Sequence, residues 1–118
     1  MIEVDCHISI KKDGVVFINP LKTQLLNEIR KNGSLSGAAK NMEISYQHVW
    51  TMIDEMNRMA PYPLVLKQRG GANGGGTTIS DYGERMLREY QIILAEIKKV
   101  VAQINVEINL WIFLNIVI

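Results

Sequence analysis

Residues 33–60 read GSLSGAAKNMEISYQHVWTMIDEMNRMA, and the apolar positions in them fall at helical spacing twice over. Ser36 can open a short helix whose inner face is Ala39 and Met42, with Ala38 beside them small enough to let a neighbouring helix close in. After a break at Glu43-Ile44, Ser45 caps a second helix, 45–60, in which Val49, Ile53, Met56 and Ala60 recur at the spacing of a buried stripe. Its opposite face is Gln47, His48, Thr51, Asp54 and Arg58, and Pro61 and Pro63 end it. Two helices across a tight turn, the second polar on its outer face, make a helix-turn-helix. The major groove of B-DNA, ~12 Å wide, admits one helix, and Gln, His, Ser, Thr and Tyr side chains match the donors and acceptors on its base edges. A plain helical hairpin inside a bundle carries the same pattern, so the flanking segments have to separate the two.

On the C-terminal side, Leu64, Val65 and Leu66 begin a strand and TTIS, 77–80, returns as a second. Between them GGANGGG, 70–76, holds five of the nine glycines in the chain. No acidic residue lies between Asn57 and Ser80, whereas Arg58, Lys67 and Arg69 are positive. A hairpin over 64–80 with basic residues and bare backbone at its tip, directly after the outward-polar helix, is the wing of a winged helix. Its glycines let backbone N–H groups approach phosphates, and its Lys and Arg neutralise charge and release counterions. A nucleotide loop is the rival reading, but no Gly-Lys-Ser/Thr follows the glycines and no Gly-x-Gly-x-x-Gly register occurs in 70–76. A functionless linker is the other, and the strand patterns on both sides oppose it.

On the N-terminal side, Ile2, Val4, Cys6, Ile8 and Ile10 alternate with Glu3, Asp5, His7 and Ser9, which predicts a half-buried strand over 2–10. Asp13-Gly14 turns the chain into VVFI, 15–18, as the partner strand. Asn19 and Pro20 then supply a cap and a first helical residue, and Leu21, Leu25, Leu26 and Ile29 form one face of a helix ending near Gly33.

After the wing, Ser80 caps a long helix with Asp81 and Glu84 at its positive end. Leu87, Tyr90, Leu94, Ile97, Val101, Ile104, Ile108 and Trp111 recur at three and four, the seam of a coiled coil, widened by Met86, Ile93 and Val100. A helix that only closes the core accounts for the first three turns and leaves Ile104 onward uncovered. The expectation is a winged helix-turn-helix domain over 1–80 and a dimerisation helix over 81–118, one side on the body and the other on a second copy. INVEINL, 104–110, also alternates like a strand, which leaves its conformation open.

A formal net charge of +1 over 118 residues sets no global field, so charge must act where it clusters. One cysteine excludes an internal disulfide, acids stand where an export signal needs positive charge, and a cytoplasmic protein is expected. INLWIFLNIVI, 108–118, is short of the ~20 residues of a membrane span, so no membrane partner is expected. His7 and His48 share no metal pattern, Cys6 alternates with apolar neighbours, and no carboxylate pair is placed for acid–base work. Neither an enzyme, a metal nor a cofactor is expected, and the methionines between 42 and 59 are core residues.

GSLSGAAKNMEISYQHVWTMIDEMN, GGANGGGTTIS and YGERML together resemble the N-terminal DNA-binding half of ModE-type molybdate-responsive regulators, whose winged helix is related to that of LysR-type regulators. The resemblance runs from about residue 5 to residue 100. It implies an α+β, mainly α, winged helix-turn-helix with an N-terminal β-hairpin, dimerising through its flanking helices on an inverted-repeat operator in double-stranded DNA. Carried over, the DNA-reading helix falls on Ser45, Tyr46, Gln47, His48 and Thr51, and the wing on Lys67, Arg69, Asn73, Thr77 and Thr78, while Trp50 and Asn57 match structural positions. Full members carry a second half of molybdate-binding domains, which these 118 residues do not include, so no anion pocket is assigned and a separate effector-sensing protein is a possible partner. The alternative function is a protein-interaction module on a winged scaffold that no longer binds DNA.

Overall fold

A computed structural model describes residues 1–67 and 76–114. The elements run β1 (Ile10–Lys12), β2 (Val15–Ile18), α1 (Pro20–Asn32), α2 (Leu35–Met42), α3 (Tyr46–Met59), β3 (Val65–Lys67), β4 (Thr77–Ile79) and α4 (Asp81–Leu114). β1 pairs with β2 and β3 with β4, both antiparallel, as two separate ribbons. Asp13 and Gly14 both take positive φ, 52° and 80°, the turn that matches the twist of a two-residue hairpin.

In α1 the Asn19 side chain accepts the Lys22 N–H at 2.8 Å, and Gly33, left-handed at φ 69°, closes the helix onto the Ile29 carbonyl. The buried face is Lys22, Leu25, Leu26 and Ile29, and Leu21, expected inside, lies one step behind it in the open. Lys22 is carried inward because its ammonium finds the Val16 carbonyl at 2.9 Å and the Glu55 carboxylate of α3 at 3.6 Å. The cap of α2 is Ser34, not Ser36: its hydroxyl accepts the Gly37 N–H at 3.0 Å, and the earlier start brings Leu35 into the core. Glu43 turns the chain at φ 56° and returns its N–H to the Ala39 and Lys40 carbonyls. The buried stripe of α3 is Val49, Met52, Ile53 and Met56, with Ala60 just past the last turn as C-cap. These side chains meet Ile18, Leu25, Leu26, Ile29, Leu64 and Val65 in one core.

The core does not stop at residue 80. Ser80 caps α4 through the Gly83 N–H at 3.0 Å and donates its hydroxyl to the Pro63 carbonyl at 2.6 Å. Leu87 and Tyr90 then enter the core. The Arg30 guanidinium grips the Glu84 carboxylate with two nitrogens and ties α1 to α4, and this hydrogen bonding raises the Arg30 pKa above its ordinary value. Residues 104–110, ambiguous in sequence, are helical, and the 34 residues of α4 account for most of the 66 Å length of the molecule. Among the described residues no helix is long and apolar enough to cross a membrane.

The strand expected over 2–10 is a correction. Only Ile10–Lys12 pairs with β2, and residues 2–9 lie along α4 instead. The Asn105 side chain accepts the Val4 N–H at 2.5 Å and donates to the Val4 carbonyl at 3.0 Å. Asn109 does the same for Ile2 at 3.0 and 2.8 Å, and the Tyr90 hydroxyl donates to the Ile8 carbonyl at 3.0 Å. Four helical residues rise ~6 Å and two extended residues ~6.6 Å, so amides one helical turn apart meet alternate residues of an extended arm. Val4, Cys6, Ile8 and Ile10 are part-buried between exposed neighbours, so the period of two keeps its burial meaning while a helix supplies the partners.

Candidate nucleic-acid interface

The N-terminal end of α3 stands free of the body. Ser45, Tyr46, Gln47 and His48 are exposed, Tyr46 at 51%, and Thr51 is part-buried one turn on. The Ser45 hydroxyl accepts the His48 N–H at 3.0 Å, so one of its lone pairs serves the cap. Gln47, Thr51, Asp54 and Arg58 follow at four, three and four residues along the middle of the exposed face, where Arg58 and Asp54 pair at 2.8 Å.

Asn57 joins this helix to the wing. Its side-chain oxygen accepts the Leu64 and Val65 N–H groups at 2.8 and 3.2 Å, and its nitrogen donates to the Val65 carbonyl at 3.0 Å. β3 and β4 pair Val65 with Ile79, Leu66 with Thr78 and Lys67 with Thr77, so Val65, Lys67, Thr77 and Ile79 share the inward side and Leu66 and Thr78 the outward one. Thr77 is accordingly buried, and its N–H reaches back to the Gly33 carbonyl at 2.9 Å. This corrects its place among side chains open to a ligand, whereas Thr78 is exposed. Lys67, also exposed, puts its ammonium 5.6 Å from the centre of the Trp50 ring.

The structure therefore leaves Ser45, Tyr46, Gln47, His48, Lys67 and Thr78 exposed and Thr51 part-buried, with Lys67 on the side of the ribbon that meets α3 and Thr78 on the other. Arg69 and Asn73 lie outside the described residues. Trp50, read from sequence as structural, is 40% exposed beside Lys67. The signal for it was present: Trp50 stands three residues after Gln47, on the flank of the outward face that Asn57 turns toward the wing.

The seam expected on α4 divides in two. Leu87 and Tyr90 are 5% and 2% exposed inside the chain's own core, so neither is open to a second copy, a correction to the expected dimer set. Leu94 and Val101 are half-buried. Ile97 and Ile104 are exposed, and with Ile93, Val100 and Trp111 they form one apolar stripe on the opposite flank from the asparagines that hold the arm. Among the described residues no group of three or more His, Cys, Asp or Glu side chains is placed to hold a metal ion.

Three packed helices, the third with its outer face bare, and a two-stranded ribbon anchored beside it define a winged helix-turn-helix fold. The chain is homologous to the ModE transcriptional regulators. It is 41% identical over 86 residues to the transcriptional regulator ModE of Haemophilus influenzae, a match covering 73% of this chain and 34% of that protein. It is 34% identical over 97 residues to the DNA-binding transcriptional dual regulator ModE of Escherichia coli K12, covering 82% and 37%. The chain thus spans little more than a third of the length of these curated relatives. No protein-family model matches it. Among solved structures, Streptococcus pneumoniae FabT in complex with DNA aligns at a TM-score of 0.51 with 17% identity, over 83% of this chain and 76% of that one, a likeness of fold.

Proposed function

We propose that this chain is a sequence-specific DNA-binding transcriptional regulator, acting in the cytoplasm as a homodimer and without enzymatic activity. The observation that carries the reading is the exposed end of α3, bearing Tyr46, Gln47 and His48, beside a ribbon that adds Lys67 and Thr78. These side chains offer base edges donors and acceptors in the major groove, and Lys67 offers a phosphate its charge. Arg69 and Asn73 belong to the same proposal through the resemblance to ModE. The second copy docks on the stripe of Ile93, Ile97, Val100 and Ile104, and the two α3 helices then meet successive turns of one face of the duplex.

A fluorescence-anisotropy titration of labelled mixed-sequence duplex over a salt series tests the reading. Binding at low ionic strength that weakens steeply with salt is the expected result, and no binding at any salt overturns it. A selected operator then tests specificity: Gln47→Ala narrows the gap between operator and random duplex by about five- to a hundredfold if Gln47 makes a two-point contact with a base. The rival, a protein-interaction module, draws on one observation, an open apolar groove of about 510 Å³ lined by Met1, Asn105, Val106, Leu110, Phe113 and Leu114. It becomes the better account if the dimer forms and DNA does not bind.

A further inference from the structure

The ring of Trp50 sits where α3 and β3 come together. Val65 points from β3 into the core, and Lys67, two residues on and on the same side, emerges past the edge of the core to lie over the indole at 5.6 Å. Trp50, Ile53, Asp54, Asn57 and Lys67 line a small cleft at this seam, about 80 Å³ in volume. Of the two charged neighbours, Asp54 is held by Arg58 at 2.8 Å, and among the described residues Lys67 has no carboxylate within ion-pair distance. An aromatic face attracts an ammonium through its quadrupole and leaves the formal charge intact. The ring therefore orders a long, flexible side chain without neutralising it.

Stability of the wing gives no reason for this contact. Asn57 already fixes β3 with three hydrogen bonds, and Val65 anchors it in the core. Trp50 is 40% exposed, more than a tryptophan that serves a core leaves open.

We propose that Trp50 is the positioning residue for Lys67, and that the two act as one phosphate-binding unit in the cleft between α3 and the wing. The inference rests on the DNA-binding reading above and adds to it the residue that aims the wing's first cation. A duplex seated on α3 runs its backbone past this cleft, so the ammonium is held at the point of contact before the DNA arrives. Loss of the ring returns Lys67 to many rotamers, and loss of the ammonium leaves the ring with nothing to aim.

The test uses the whole chain and a fluorescein-labelled mixed-sequence duplex, with anisotropy titrations at several salt concentrations. Lys67→Met lowers the slope of log affinity against log salt by about 0.9, one phosphate contact. Trp50→Leu weakens binding by about three- to tenfold, Trp50→Phe, which keeps an aromatic face, recovers most of that loss, and Trp50→Leu added to Lys67→Met produces no further loss. Independent, additive losses overturn the proposal, and so does a Trp50→Leu protein that binds like the parent. If Trp50→Leu fails to fold, the same cycle run with Trp50→Met, which keeps the bulk and removes the aromatic face, and Lys67→Met decides by additivity. Absence of binding by the parent chain overturns the DNA-binding reading itself, whereas parental binding with unchanged variants overturns only the role of Trp50.

Discussion

Gly83 shows how a single side chain can be excluded by a neighbouring backbone. A Cβ there would lie 2.4 Å from the Leu64 carbonyl oxygen and 2.7 Å from Ile79 Cγ2. In an open helix Gly→Ala stabilises by ~1 kcal/mol, but here the Ser80 cap and the base of the wing must move to make room. Gly83→Ala therefore destabilises by about 1–3 kcal/mol, read as a melting temperature several degrees lower, and a higher one would refute the close approach. Tyr90 gives a prediction in pH. Burial raises its pKa, and its proton serves the Ile8 carbonyl. A phenol whose folded pKa lies above its unfolded value of ~10 contributes stability that is complete below that pH and is lost as pH rises through the folded pKa. Chemical denaturation above pH 10 should show stability falling in the parent chain. Tyr90→Phe should be less stable at neutral pH and should fall less steeply, so an unchanged alkaline slope would remove Tyr90 from the account.

The arm over 2–9 and α4 are two elements that hold each other through side-chain amides. Asn105 and Asn109 each bind both backbone groups of one arm residue, as a neighbouring strand would. Asn105→Ala combined with Asn109→Ala should release the arm, so that hydrogen exchange at the Ile2 and Val4 amides accelerates at least tenfold while exchange in α1 to α3 stays slow. Retained protection would mean that apolar contact alone seats the arm. From Val4 to Ile10 the alternation reported burial correctly and pairing wrongly, while Ile2 is exposed, because a period of two records which side is covered and says nothing of what covers it. The cap of α2 has the same origin: Ser34 and Ser36 are both good caps, and it was the fit of Leu35 into the core that chose between them.

For the molecule as a whole, α4 is the one element longer than the body it packs on. Its exposed stripe of Ile93, Ile97, Val100 and Ile104 is the surface a second copy would cover. Ile97→Glu with Ile104→Glu should turn a dimer into a monomer by sedimentation while the melting temperature of the helical body changes little. The same variant should lose affinity for an inverted-repeat duplex far more than for a half-site, and a parent chain already monomeric at high concentration would refute the dimer.

What the order of residues determined by itself was the local part: two hairpins, the helix-turn-helix, the wing position and the outward face of α3. Each follows from a period, a cap or a turn residue within a few positions of itself. Tertiary packing assigned the rest, because burial depends on what lies opposite in space. It took Thr77 inward at the wing, placed Leu87 and Tyr90 in the core rather than at a seam, and drew Lys22 inside toward Glu55. It also brought Trp50, sixteen residues before the strand's Leu66 and seventeen before Lys67, under that lysine's ammonium. No spacing along the chain encodes that contact, since it exists only where Asn57 folds the strand back against the helix.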